Sequence, residues 1–132
     1  MGLANVRLIL SNPRYPELKP LEVDALVDSG ANWTCIPDHV CVQLRLDEFQ
    51  KREIMTADGA KHSCAYVGPL MLQFENRISL SGAMVLGNQV LLGAIAMEDM
   101  DVVIVPKDRK LIVNPENPNF PAGLAVGVRP AR

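Results

Sequence analysis

The chain has 132 residues, enough for one domain whose buried core needs no cross-links. Apolar residues make up 48% and charged residues 21%, an ordinary globular balance, and a formal net charge of -2 offers no attraction to nucleic acid or to an anionic membrane. No apolar run approaches the roughly 20 residues of a membrane-spanning helix, and Met1-Gly2-Leu3-Ala4-Asn5 lacks the basic start and long apolar run of a signal peptide. Three cysteines, Cys35, Cys41 and Cys64, are too few and too odd a set for a disulfide framework. Free thiols suit a reducing compartment, so the expected location is cytoplasmic.

Residues 3 to 10 alternate, with Val6, Leu8 and Leu10 on one face and Asn5 and Arg7 on the other, which predicts a strand. Ser11 to Pro16 carries two prolines and is turn chemistry. Leu21, Val23, Ala25 and Val27 alternate with Glu22 and Asp24, a second strand that runs straight into Asp28. After the Asp28 loop, Trp33 to Ile36 is short and β-prone. Pro37 followed by Asp38 is a helix start, and Val40, Cys41 and Leu44 are spaced for one buried helical face running to about Leu46. Cys35, His39 and Cys41 lie close together but lack a second ligand pair, so they read as packed thiols and a surface histidine rather than a zinc site.

Phe49 to Ala57 and Lys61 to Val67 predict a hairpin around Asp58-Gly59, a strong turn dipeptide. Gly68-Pro69 punctuates the chain. Two more alternating stretches, Leu70 to Phe74 and Ile78 to Leu86, meet at Asn76-Arg77. Short strands at spacings near ten residues predict a barrel or sandwich. Ala94 to Met100 is helix-prone and ends in Glu98, Asp99 and Asp101, read as a solvated helix end rather than a metal site. Val102 to Val105 and Leu111 to Val113 predict a last hairpin. From Pro115 four prolines, with asparagines and glycines, predict an extended or disordered tail over 115–132, leaving 1–114 as the folded domain.

The stretch Ala25-Leu26-Val27-Asp28-Ser29-Gly30-Ala31 stands apart. An apolar strand drives into a core and ends on a carboxylate, which is costly there unless it is hydrogen-bonded or paired. By itself Asp28-Ser29-Gly30 also fits a plain turn in which Asp caps and Gly turns. The heptad resembles the catalytic loop of retropepsin-type aspartic proteases. Val90-Leu91-Leu92-Gly93-Ala94, about 60 residues on, is similar to that family's second signature. The resemblance covers roughly residues 3 to 114. It implies a mainly β fold, a closed retropepsin-type barrel with one or two short helices, working as a symmetric homodimer. It also implies catalytic Asp28, a loop supported by Ser29, Gly30 and Ala31, a second signature at Leu92 and Gly93, and a substrate-covering flap with its tip at Ala57, Asp58, Gly59 and Ala60. The viral flap tip is richer in glycine, and an Asp at the tip would favour basic residues in a substrate.

Peptide hydrolysis without a metal or a covalent nucleophile needs one group to activate water and another to protonate the leaving group. Two carboxylates about 3 Å apart do both, because like charges that close share one proton, the known behaviour of aspartic-protease pairs. This chain holds a single Asp-Ser-Gly, so the second carboxylate must come from another copy of the chain. The expected function is therefore an aspartic endopeptidase acting on a peptide or protein, with no cofactor, no metal, no nucleic acid and no membrane partner. The alternatives are a dimerising peptide-binding module that keeps the fold without proteolysis, and an unrelated small β-barrel binding a ligand. Trp33 either lines a substrate pocket or packs the core, with packing favoured because Trp is usually well buried. Leu111-Ile112-Val113 is the expected interface strand.

Overall fold

The computed structural model describes residues 4–129. The expected first residue of the N-terminal strand, Leu3, and the end of the tail from Pro130 lie outside the described residues. Strand β1 (Ala4–Ser11) buries Ala4, Val6, Leu8 and Leu10 and exposes the residues between them, as a period of two requires. It pairs antiparallel with β2 (Leu21–Val27), from Ala4 opposite Val27 to Leu10 opposite Leu21. The loop joining them is tied down by buried Asn12, whose Nδ2 donates to the Leu44 carbonyl at 2.8 Å.

Strand β3 (Cys35–Ile36) leads into helix α1 (Asp38–Gln43). The helix stops short of the expected Leu46. Arg45 takes a left-handed backbone with φ 51, which ends the helical run, and the Leu46 N–H turns back to the Cys41 carbonyl at 3.1 Å. Strand β4 (Asp47–Met55) and strand β5 (Lys61–Phe74) form a long hairpin, and β5 continues into β6 (Arg77–Val85). Gly68-Pro69 does not end a strand as the sequence suggested. The 14-residue β5 runs through it, and the pairing with β6 shifts register between Val67 and Leu70. Proline lacks the ladder donor, and a bulge absorbs that loss without breaking the sheet.

Strand β7 (Val90–Leu92), helix α2 (Ala94–Met100) and the hairpin of β8 (Val102–Val105) with β9 (Lys110–Val113) complete the chain's regular elements. The main sheet has the order β1-β2-β7-β3-β6-β5-β4, and β1 also pairs with β5 at Ile9 opposite Gln73. That pairing closes six strands into a barrel and leaves β4 outside the ring. The fold is mainly β with two short helices. The barrel interior is filled by Leu8, Leu10, Ile36, Leu70, Leu72 and Leu92, each fully buried, and α2 adds Ala96, Met97 and Met100. At the usual worth of buried apolar surface, this single core is what holds the barrel shut.

Arg77, expected in a turn, is fully buried at the start of β6; the turn is Glu75-Asn76, with Glu75 at φ 52. Its Nη2 donates to the Asn117 carbonyl, and among the described residues Nε and Nη1 have no hydrogen-bond partner. Asp99 and Asp101 are not simply solvated either. Asp99 accepts from Ser79 Oγ at 2.8 Å, and Asp101 accepts from Asn114 Nδ2 at 3.0 Å, Asn117 Nδ2 at 2.8 Å and the Ala122 N–H at 3.0 Å. Beyond β9 the described residues form no helix or strand, but these bonds fasten the segment from Asn114 to Ala122 against the end of α2.

Candidate active site

Strand β2 delivers Asp28 because β2 and β7 run parallel, Ala25 opposite Val90 and Val27 opposite Leu92. Strand β7 also pairs antiparallel with β3 at Cys35 opposite Leu91, so it lies between the strands entering and leaving the Asp28 loop. The Asp28 N–H donates to the Leu92 carbonyl at 3.0 Å, which joins the two sequence signatures directly. The Asp28 side chain is half-buried, and its Oδ1 accepts from the Gly30 N–H at 2.9 Å. The Ala31 N–H closes the turn onto the Asp28 carbonyl at 3.2 Å. Ser29 and Gly30 are exposed and Ala31 is half-buried.

The second element locks to the first through the start of α2. The first N–H groups of any helix lack partners inside it. Here the Ala94 N–H donates to the Ala31 carbonyl at 2.7 Å and the Ile95 N–H to the Asn32 carbonyl at 3.1 Å. The Gly93 N–H donates to Oγ1 of buried Thr34 at 3.3 Å. Gly93 is needed for contact rather than for φ, since a Cβ there would stand 2.5 Å from the Trp33 carbonyl carbon and 2.6 Å from its oxygen. Thr34 went unnoticed in the sequence; only its place opposite a buried backbone donor reveals its part.

Burial pushes the Cys35 thiol up to about 11, and Cys64 and the Asp28 carboxylate add to the shift. A thiol in that state is no nucleophile at neutral pH. Among the described residues no three His, Cys, Asp or Glu side chains gather where they could hold a metal ion.

The β4–β5 hairpin turns through Thr56–Ala60, a longer loop than a two-residue Asp58-Gly59 turn, with Met55 opposite Lys61 and Gly59 at φ 85. Asp58 is committed to the loop itself: its Oδ1 accepts from Thr56 Oγ1 at 2.6 Å and from the Ala60 N–H at 3.0 Å. These bonds, the Thr56 one foremost, hold its carboxyl below the usual range. No hydrogen bond among the described residues links Ala57, Asp58, Gly59 or Ala60 to the Asp28 loop. The hairpin meets that loop lower down. A second apolar cluster of Cys35, Cys64 and Met84 is flanked by half-buried Trp33, Ile54, Tyr66 and Leu91. Arg52 of β4 lies over both rings, its guanidinium carbon 3.6 Å from the Tyr66 centroid and 5.2 Å from that of Trp33. Trp33 therefore packs on this satellite cluster and not in the barrel core. Arg52 was not foreseen, although it shares a strand face with Ile54, two residues on.

A sizeable groove lies elsewhere. About 1060 Å³ in volume, it runs between β6, α2 and the segment Pro121–Leu124, with Leu80, Ile95 and Asp99 on its walls. Among the described residues no helix is long and apolar enough to cross a membrane.

No protein-family model and no curated protein matches the chain. Solved structures do, among them the two that follow. The EIAV protease in complex with the inhibitor HBY-793 aligns with a TM-score of 0.62 at 14% identity, over 79% of this chain and 93% of that one. The retroviral protease-like domain of Ddi1 from Leishmania major aligns with a TM-score of 0.55 at 13% identity, over 86% of this chain and 91% of the other. The closed six-strand barrel, with β7 threaded between β2 and β3, is a retropepsin-like fold.

Proposed function

We propose that the protein is an aspartic endopeptidase acting as a symmetric homodimer, with water activated between the Asp28 carboxylates of two copies. The observation that carries the reading is the seat of Asp28. It is a half-buried carboxylate at the end of a core strand, oriented by the Gly30 N–H and braced by Leu92 through its own N–H, within a retropepsin-like barrel. One copy supplies one carboxylate, so the chemistry requires the second copy.

In that dimer one proton is shared between the carboxylates. The ionised Asp28 removes a proton from the water as its oxygen attacks the peptide carbonyl carbon. The protonated Asp28 gives its proton to the carbonyl oxygen. The resulting diol collapses as the C–N bond breaks: the amine nitrogen takes the proton from the carboxyl that received one, a diol hydroxyl gives its proton to the other carboxylate, and the pair again holds one proton. In this reading exposed Ser29 bonds the opposing loop, Gly30 orients the carboxylate and Ala31 leaves room for the second chain. Leu92 and Gly93 brace the loop. Residues Ala57, Asp58, Gly59 and Ala60 form the tip of a flap over the peptide. Strand β9 is the interface strand, the protease unit is 1–114, and 115–132 is an appended tail. The three unpaired thiols fit a cytoplasmic location.

The test pairs sedimentation with cleavage of a peptide library between about pH 4 and 7, the range suited to a shared-proton pair. Asp28→Asn is expected to keep the fold and lose all cleavage. A folded Asp28→Asn protein that cuts as well as the parent refutes the proposal, as does a protein that stays monomeric at every concentration with peptide present. Dimers that bind peptides without turnover would point to a peptide-binding module.

A further inference from the structure

A cation is mounted beside the Asp28 loop without a counter-ion. Arg52 makes no ion pair among the described residues, although Arg14, Lys51 and Lys61 each have one and Arg7 has two. Its guanidinium lies on the Tyr66 ring at 3.6 Å and within 5.2 Å of the Trp33 centroid. Tyr66 is itself fixed from behind, since its ring lies so close to Gly82 that a Cβ there would collide with it. The Arg52 cation thus lies over two rings at once, and the nearer of them, Tyr66, is packed against Gly82. Such stacking satisfies the π-faces and leaves the N–H edge of the guanidinium unspent. None of the hydrogen bonds found among the described side chains uses it.

The stack also spans two parts of the site. Trp33 lies five positions after Asp28, and Arg52 and Ile54 belong to the strand that rises to the hairpin tip. The cluster they flank includes Cys35, close enough for the Asp28 carboxylate to act on its thiol, and Leu91, neighbour of the residue that braces Asp28. A peptide lying over Asp28 and under the hairpin passes this edge. Asp58 of the tip keeps its negative charge but is bonded within its own loop to Thr56 and Ala60, whereas the charge at the Trp33 and Tyr66 rings is the cation of Arg52.

We infer that Arg52 is a specificity-determining residue that selects an acidic side chain in the bound peptide, near the scissile bond. The inference rests on the reading of the Asp28 cleft as a peptide site. A carboxylate meets a planar guanidinium edge in a two-pronged, charge-assisted pair, and the two rings hold that edge in place before the peptide arrives.

The experiment separates binding from cleavage. Peptides that differ only by Glu or Gln at successive positions around the cut are compared by kcat/KM in the parent, Arg52→Gln and Arg52→Lys proteins. At one position the parent is expected to favour Glu by about tenfold, the worth of one such pair. Arg52→Gln brings that ratio to about one, and Arg52→Lys keeps its direction with a smaller size because the flat fork is lost. The same peptides are titrated into Asp28→Asn, read by the fluorescence of Trp33, the one tryptophan in the chain. Tighter binding of the Glu peptide, abolished in the Asp28→Asn, Arg52→Gln double variant, upholds the inference even if the parent cleaves nothing. Equal binding of Glu and Gln peptides at every position, a preference unchanged by Arg52→Gln, or no binding at all overturns it. Failure of catalysis shows in the cleavage arm alone, and failure of Arg52 shows as a Glu-to-Gln ratio of one in a protein that still cuts.

Discussion

Replacing Gly93 with alanine tests the joint on which the site depends. The added methyl would stand 2.5 Å from the Trp33 carbonyl carbon, 2.6 Å from its oxygen and 2.8 Å from the Thr34 nitrogen. All three are backbone atoms of the segment leading into β3, so no side chain can swing aside. Either that segment or the start of α2 must retreat, and three bonds cross the gap: Gly93 to Thr34 at 3.3 Å, Ala94 to Ala31 at 2.7 Å and Ile95 to Asn32 at 3.1 Å. Overpacking of this kind costs about 1–3 kcal/mol, and weakening one buried hydrogen bond adds about 1 kcal/mol. The expected loss is about 2–4 kcal/mol, a large share of the roughly 5–15 kcal/mol that holds a domain together. Urea denaturation followed by circular dichroism measures it, with Gly123→Ala as the control, because a Cβ at Gly123 meets nothing within 4 Å. Peptide cleavage should fall more steeply than stability, since the carbonyl bracing Asp28 belongs to Leu92, next in the chain. A Gly93→Ala protein as stable as Gly123→Ala would show that the two signature segments are not tightly apposed, and the geometry argued for Asp28 would fall with it.

Two further outcomes follow from titrating groups. The Asp101 carboxyl is held below its ordinary value by Asn114 first, then by the Ala122 N–H, Asn117 and the charge of Arg77. A depressed folded value means the anchorage is complete above the ordinary 3.8 and fades as pH falls through the lower folded value. Protection of the Ala122 amide, measured against the exchange rate of a free amide, should therefore persist at pH 4 and fall only in stronger acid, whereas in Asp101→Ala it should be absent throughout; a midpoint at or above the ordinary value contradicts the bonding described. Cys35 is raised to about 11 chiefly by burial, so at pH 8 it stays a neutral thiol. Iodoacetamide followed by mass spectrometry should label half-exposed Cys41 well before buried Cys35 and Cys64, and equal labelling of all three in folded protein would refute the packing of the satellite cluster.

Local pattern revealed the strands whose two faces differ. The alternation in β1 and β2 matches their burial residue by residue, because one face of each meets the barrel core and the other meets water. Pattern misled where backbone conformation or distant partners decide. Gly68-Pro69 looks like a stop, but a bulge carries β5 through it, since β6 on one side holds the strand in place. Arg77 reads as a turn residue, and its burial depends on Asn117, forty positions away. Arg52 is one charge among many until folding lays it on Tyr66 and Trp33.

The sequence by itself determined that a carboxylate would end a core strand, that a single Asp-Ser-Gly exists, and that a second apolar-Gly element follows at a distance. Those properties are local, fixed by residue type and short-range periodicity. The tertiary structure alone decided that β7 lies between β2 and β3, that Leu92 braces Asp28, that Thr34 receives the Gly93 N–H and that Arg52 lies over two aromatic rings. Each is a contact between segments far apart in the chain, and barrel closure, driven by burial of the whole core at once, is what brings them within bonding distance.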